Sequence, residues 1–324
     1  MSWAKQGIIY DSTKRLRGGF THATVPVFLK SDKFWRVYFG IRDNCNKSVT
    51  TFVDFEPGNF GKIIQDCQLP VFARGNIGSF DEGGQMPTCV IKNGDDVYLY
   101  YIGWSVKLSV PLDNHTGLAI SRDGGTTFDK FDGPVLGKSI YDPYFTGTCY
   151  VLRMNDIWHA YYQSGVGWTP PGASDNTSGR MEPLYHIRHA TSPDGIHWTP
   201  IEKPVIALKD DEAGICQVSV IKVQNKYLMW YCYRKMKDYR TEPKDAYRIG
   251  FAMSVDGYKW ERLDDYRSLR VSDTGWDSTM VCCPNVFWHD EKFWMLYNGN
   301  SFGKTGFGYA IWDGEDDSLL FSPS

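Results

Sequence analysis

Apolar positions along this chain gather into short runs broken by Gly, Asp, Asn and Pro, and few stretches carry a helical period. Five runs are dense in Trp and Tyr: FWRVYFG at 34–40, YLYYIGW at 98–104, WHAYYQSG at 158–165, YLMWYCYR at 227–234 and FWMLYNGN at 293–300. A second apolar run leads into each, beginning with VPVFL at 25–29. Runs this short, rich in aromatic and β-branched residues and bounded by turn formers, predict strands rather than helices. In four of the five copies an acid stands ten positions before the end of the leading strand: Asp81 before Ile91, Asp142 before Leu152, Asp211 before Ile221 and Asp277 before Phe287. These acids recur at intervals of 61, 69 and 66 residues; the first copy lacks one.

A third element repeats as well: SRDGGTTF at 121–128, SPDGIHW at 192–198 and SVDGYKW at 254–260. Each follows an apolar strand and sets Asp-Gly before an aromatic, as a tight hairpin between two outer strands requires. The first copy resembles the sialidase-type Asp-box, a folding motif. Self-similarity at this period, with several short strands per unit, predicts a propeller. The expected fold is therefore all-β, a five-bladed β-propeller forming a single domain over residues 1–324. Blades run from Thr21 to Cys67 (with VTTFVDF as an outer strand), Met86 to Leu136, Phe145 to Leu208, Ile215 to Arg270, and Met280 to Trp312. Blade five, ending in GFGYAIWDG at 306–314, lacks an outermost strand, and WAKQGIIYD from Trp3 has the form to supply it. The N-terminal strand should close the last blade and remove an exposed edge. Phe128, Trp198 and Trp260 should occupy equivalent places.

Insertions at 165–183 in blade three and 235–248 in blade four both fall between the second and third strands. That connection shares a face of a propeller with the loop leading into the innermost strand. The topology thus predicts that Asp81, Asp142, Asp211 or Glu212, and Asp277 converge near the axis, rimmed by the two insertions.

Composition narrows the partners. Net charge is −3 with both signs mixed, which gives no footprint for nucleic acid or an anionic membrane. No apolar run reaches the ~20 residues of a membrane span, and MSWAKQGIIY lacks a signal-peptide core. Eight cysteines, several within strands, read as free thiols in a reducing cytoplasm. No metal motif or cofactor fingerprint is found, and the adjacent Cys282 and Cys283 should point to opposite faces of a strand. GNSFGKT at 299–305 has three residues between its glycines where a P-loop needs four, and it precedes no helix.

A ring of carboxylates at the mouth of a five-bladed propeller resembles the glycoside hydrolases and phosphorylases of families 43, 32, 68, 117 and 130. The nearest texture is that of uncharacterised family 43-like proteins of bacterial surface-polysaccharide gene clusters. The resemblance implies a carbohydrate ligand, an auxiliary Asp at Asp142-Pro143 and a general acid at Glu212. The chain departs from the pattern where relatives carry a first-blade Asp: GGFTHATVP offers only His22. Hydrolysis normally uses two carboxyl groups, so Asp81, Glu82, Asp277 or His22 would have to supply the second function. Further candidates for substrate binding are Trp104, Trp168, Arg188, Tyr239, Arg240 and Arg248, with Asn298 and Asn300 in the Gly-rich loop. Three readings follow: a glycosidase-like enzyme (hydrolase, transglycosidase or phosphorylase) with Glu212, Asp142 and Asp81 catalytic; a carbohydrate-binding propeller without catalysis; or a biosynthetic enzyme using an activated or phosphorylated sugar. Arginines in the pocket would favour the last.

Overall fold

Strand β1 (Trp3–Asp11) opens the chain, and four antiparallel meanders follow. The first contains β2 (Thr21–Lys30), β3 (Trp35–Arg42), β4 (Ser48–Glu56) and β5 (Asn59–Cys67). The second contains β6 (Gly84–Asn93), β7 (Asp96–Ser105), β8 (Asp113–Ser121) and β9 (Asp129–Lys130). The third is β10 (Thr146–Met154), β11 (Ile157–Thr169), β12 (Glu182–Ser192) and β13 (Thr199–Pro200). The fourth is β14 (Glu212–Val223), β15 (Lys226–Lys235), β16 (Arg248–Ser254) and β17 (Glu261–Arg262). Strands β18 (Cys282–His289), β19 (Lys292–Asn298) and β20 (Gly306–Trp312) begin a fifth, and β1 completes it by pairing antiparallel with β20, Trp3 opposite Trp312. This computed structural model describes residues 2–173, 179–209 and 211–312. Residues 174–178 of the third-repeat insertion, and Asp313 and Gly314 of the last repeat, lie outside the described residues.

The Trp- and Tyr-rich second strands are apolar without alternation because both of their faces are covered. Residues 49–55, expected as an outer strand, form β4, the third of that meander. The outermost strand β5 escaped notice because its exposed face makes NFGKIIQDC mostly polar. First strands pack side by side in chain order, and β18 meets β2 to complete the circuit. Among the described residues no helix is long and apolar enough to cross a membrane.

The Asp-Gly hairpins fasten repeats two, three and four each to the one before it. Asp123, Asp194 and Asp256 accept backbone N–H bonds within their own turns. Gly195 and Gly257 adopt φ of +79° and +75°, a region that disfavours side chains. The turn glycine carbonyl then accepts from the preceding repeat's second strand: Tyr38 to Gly125 at 2.6 Å, Tyr100 to Gly195 and Tyr161 to Gly257 at 2.7 Å. Phe128, Trp198 and Trp260 stand edge-on to those same three tyrosines.

Candidate active site

Every first strand carries a register shift at the same place, between Thr24 and Val27, Pro87 and Cys89, Thr146 and Cys149, Cys216 and Ser219, and Cys282 and Asn285. Bulges of this kind bend a strand and re-aim its side chains, and they are common beside active sites. Val25, Gln217 and Cys283, within three of these shifts, have φ of +54°, +45° and +55°; for β-branched Val25 that is a strained conformation. The Thr148 hydroxyl accepts from the Gln217 N–H at 2.9 Å, and the Gln217 amide donates to the Thr88 carbonyl at 3.0 Å. Repeats two, three and four therefore meet through Thr88, Thr148 and Gln217, and the bulges contain no carboxylate. The bulge also breaks the alternation expected at Cys282 and Cys283: both pack in one apolar cluster with Cys216, Cys232, Tyr239 and Tyr247.

The recurring acids are buried and held by their own repeats. Asp81 accepts from Tyr101 at 3.2 Å and from Lys130 of β9 at 2.8 Å. Asp277 accepts from Tyr297 at 2.9 Å and pairs with Lys5 of β1 at 2.7 Å. Asp142 accepts from Tyr162 at 3.1 Å and Ser139 at 2.7 Å, with Arg188 3.8 Å away. In repeat four the pattern shifts by one residue: Asp211 lies exposed against Lys235, and Glu212 turns inward, its two oxygens gripped by Arg262 at 2.8 and 2.9 Å. Among the described residues, Asp81, Asp142, Glu212 and Asp277 share no hydrogen-bond or ion-pair partner. Each is held by donors of its own repeat.

Other candidates also serve the scaffold. Asn298 is fully buried, accepting from the Val25 N–H and donating to the Ala23 and Gly306 carbonyls. Asn300 binds the backbone of Thr279, Met280 and Gly275. Arg248 donates to the carbonyls of Thr279 and Pro243, and Arg188 to that of Ile201. Glu82 accepts from the Gly78 N–H. Trp104 donates to Ser48, while Trp168 leans on Phe145 at 5.5 Å; both remain half-buried.

A different carboxylate sits where the insertions meet. Glu182, the first residue of β12, is 2% exposed and accepts from Tyr239 at 2.8 Å; Arg240 and Arg180 lie at 3.4 and 3.6 Å. The Arg240 guanidinium lies over Tyr239 and 5.7 Å from the ring of Phe302, in the β19–β20 loop. That loop lies against β2, with Gly303 close to the Ala23 carbonyl beside His22. Repeats one, three, four and five thus contribute to one rim. Beneath it Arg234, fully buried, is sandwiched between Tyr185 and Tyr239 and donates to Tyr185 and to the Pro183 and Lys235 carbonyls. Desolvation, with Arg42 and Lys304 nearby, pushes the His22 imidazole down to about 4, so it is neutral at pH 7. Burial and the charge of Arg240 lower Arg42 in turn. Glu182, Arg42 and Lys304 escaped the sequence reading because each occurs once, without counterparts in the other repeats. The pointer to Glu182 was its position at the end of the longest insertion.

The profile of the glycosyl hydrolases family 32 N-terminal domain matches residues 147–316. This chain belongs to that family. An uncharacterized protein of Mycobacterium tuberculosis (strain ATCC 25618 / H37Rv) is 33% identical over 317 residues, 96% of this chain and 99% of that protein. Among solved structures, a glycoside hydrolase superposes with a TM-score of 0.72 at 16% identity, covering 99% of this chain and 95% of that one. A structure from the GH130 family, described as mannoside phosphorylases containing glycoside hydrolases that target β-1,2 mannosidic linkages in Candida mannan, gives 0.71 at 13% identity, covering 99% and 96%. The GH32 β-fructofuranosidase of Bombyx mori gives 0.59 at 14%, covering 91% and 61%. At these identities the structures speak for the fold, a propeller-like all-β arrangement shared with glycoside hydrolases.

Proposed function

We propose that the chain is a single five-bladed propeller domain whose mouth cleaves or transfers a glycosidic bond, with Glu182 as its working carboxylate. The observation that carries this is the position of Glu182 in a chain of the family 32 group: a buried carboxylate at a rim where four repeats meet. All the contacts of Glu182 are with donors, the state in which a carboxylate orients a sugar hydroxyl or activates a nucleophile. His22, half-buried across the rim and lowered to about 4, is a weak base there and is suited to offer a sugar hydroxyl a hydrogen bond. Asp81, Asp142 and Asp277 serve as internal ties in this reading, and Glu212 anchors Arg262. Eight free cysteines support a reducing, cytoplasmic setting.

The test is a panel of 4-nitrophenyl glycosides assayed with and without inorganic phosphate. Glu182→Gln should lower turnover by roughly 10²–10⁴-fold while the melting temperature stays close to wild type; Glu212→Gln should lower stability and leave the turnover of folded protein intact. The reverse outcome would move the chemistry back to Glu212. A second reading, a carbohydrate-binding propeller without catalysis, is favoured by the absence of any carboxylate at the five bulges. Sugar binding without turnover across the panel would select it.

A further inference from the structure

Among the described residues, cations outnumber acids at the mouth. Arg240 lies 3.4 Å from the Glu182 carboxylate. Arg42, at the end of β3, lies opposite Thr21 in register, one residue from His22. Its closest polar side-chain partner is Asn46 at 3.5 Å, and among the described residues no carboxylate pairs with Arg42, Lys304 or buried Arg234. Like charges held near one another without counter-ions repel. A fold tolerates such a set when a ligand supplies the missing charge.

We propose that this rim binds a phosphate dianion through Arg42, Arg240 and Lys304, with the His22 ring as a further hydrogen-bonding group and Glu182 alongside to take a sugar hydroxyl. This rests on the reading of the mouth as the carbohydrate site and names the charge its ligand carries. Guanidinium groups present planar paired donors to phosphate oxygens, and a lysine adds a mobile point charge. Among the described residues these three cations against the one carboxylate of Glu182 leave a surplus that a singly charged sugar acid only partly offsets. A phosphate, near −2 at neutral pH, matches it better. The backbone supports a built site: His22, Ser301 and Phe302 all adopt left-handed φ, at +63°, +55° and +57°, on the two segments that carry His22 and Lys304. The phosphate is either free inorganic phosphate or an ester on the sugar.

Isothermal titration in low-salt chloride buffer distinguishes the cases, using inorganic phosphate, glucose 1-phosphate, glucuronate and glucose as probes. At least one phosphate-bearing probe should bind, and Arg42→Ala and Lys304→Gln should each weaken it tenfold or more while circular dichroism and melting in chloride stay unchanged. Lys304 is exposed, so its variant tests the site even where Arg42→Ala disturbs β3. Tighter binding of inorganic phosphate than of glucose 1-phosphate identifies free phosphate; the opposite order identifies an ester. Glucuronate binding as tightly as either phosphate probe, no phosphate binding, or binding indifferent to both substitutions overturns the proposal. Phosphate binding without any glycoside turnover or sugar binding would instead keep this site and discard the glycosidic reading. Phosphate-independent turnover with no phosphate binding would do the reverse.

Discussion

The Tyr297 hydroxyl donates to the Asp277 carboxylate at 2.9 Å across 20 residues of chain, and the same spacing joins Tyr101 to Asp81 and Tyr162 to Asp142. Burial, reinforced by the adjacent carboxylate, raises all three phenols above their usual range, so they remain donors at any physiological pH. For Asp81 and Asp277 a lysine of the outermost strand completes the arrangement, tying the loop before the first strand to both the second and the fourth.

Asp81→Asn should therefore act on stability. The carboxylate is fully buried and Lys130 is 16% exposed, so neutralising one member strands a mostly desolvated ammonium. Breaking such pairs costs about 3–5 kcal/mol, and partial access of Lys130 to water points to the lower end. Urea denaturation should show a lower midpoint at unchanged slope, with turnover per folded molecule preserved. Lost turnover at wild-type stability would instead assign Asp81 to the chemistry.

Trp3 is the second place where stability should be concentrated. Its indole donates to the Arg267 carbonyl at 2.8 Å and packs edge-on against Trp312 and Trp230. Tyr10, at the other end of β1, stacks on Phe307. Trp3→Ala should cost about 3–5 kcal/mol, the usual range for a buried aromatic, and deletion of residues 1–11 should expose the β20 edge and give aggregated protein. Equilibrium unfolding and size-exclusion chromatography check the two outcomes; a soluble, cooperatively folding deletion would contradict the closure.

What the sequence disclosed, and what it hid, have one cause. The period, the Asp-Gly turns and the aromatic second strands were legible because each repeat must solve the same packing problem. The docking places of Phe128, Trp198 and Trp260 and the pairing of β1 with β20 follow from that. Repetition is also why Asp81, Asp142 and Asp277 drew attention, yet a residue needed in several repeats is one that serves each repeat, and their bonds to Tyr101, Tyr162 and Tyr297 serve that role. In the proposed reading, the groups that act on a ligand break the symmetry. Glu182, Arg42 and Lys304 have no counterparts to betray them, and their proximity depends on how an insertion, a strand end and a Gly-rich loop fold back on the rim. No periodicity encodes that.

Histidine burial sets the expected pH response. His159 and His189 share a hydrogen bond at 2.8 Å, and the His189 ring lies among Tyr161, Tyr258 and His159 with centroids 4.8–5.0 Å away. These neighbours offer no carboxylate to favour an imidazolium. Desolvation pushes His159 down to about 4 and His189 to about 3, and His22 and His186 are likewise lowered to about 4. The folded protein thus keeps these rings neutral over a range in which the unfolded chain, with ordinary histidines near 6.5, takes up protons. Between about pH 6.5 and 4 the unfolded state binds more protons, so stability falls as pH falls, by at most ~1.4 kcal/mol per pH unit for each histidine; above 6.5 these groups contribute no slope. Aspartates lowered by their turn bonds, such as Asp123 at about 2, act only below about 4 and leave this window to the histidines. His189→Phe keeps a flat aromatic ring and removes one titrating group. Urea midpoints measured at pH 7.5, 6.5, 5.5 and 4.5 should show a shallower decline for this variant than for wild type below 6.5, and parallel behaviour above it. Equal slopes in the acid range would mean that His189 is already protonated in the folded protein.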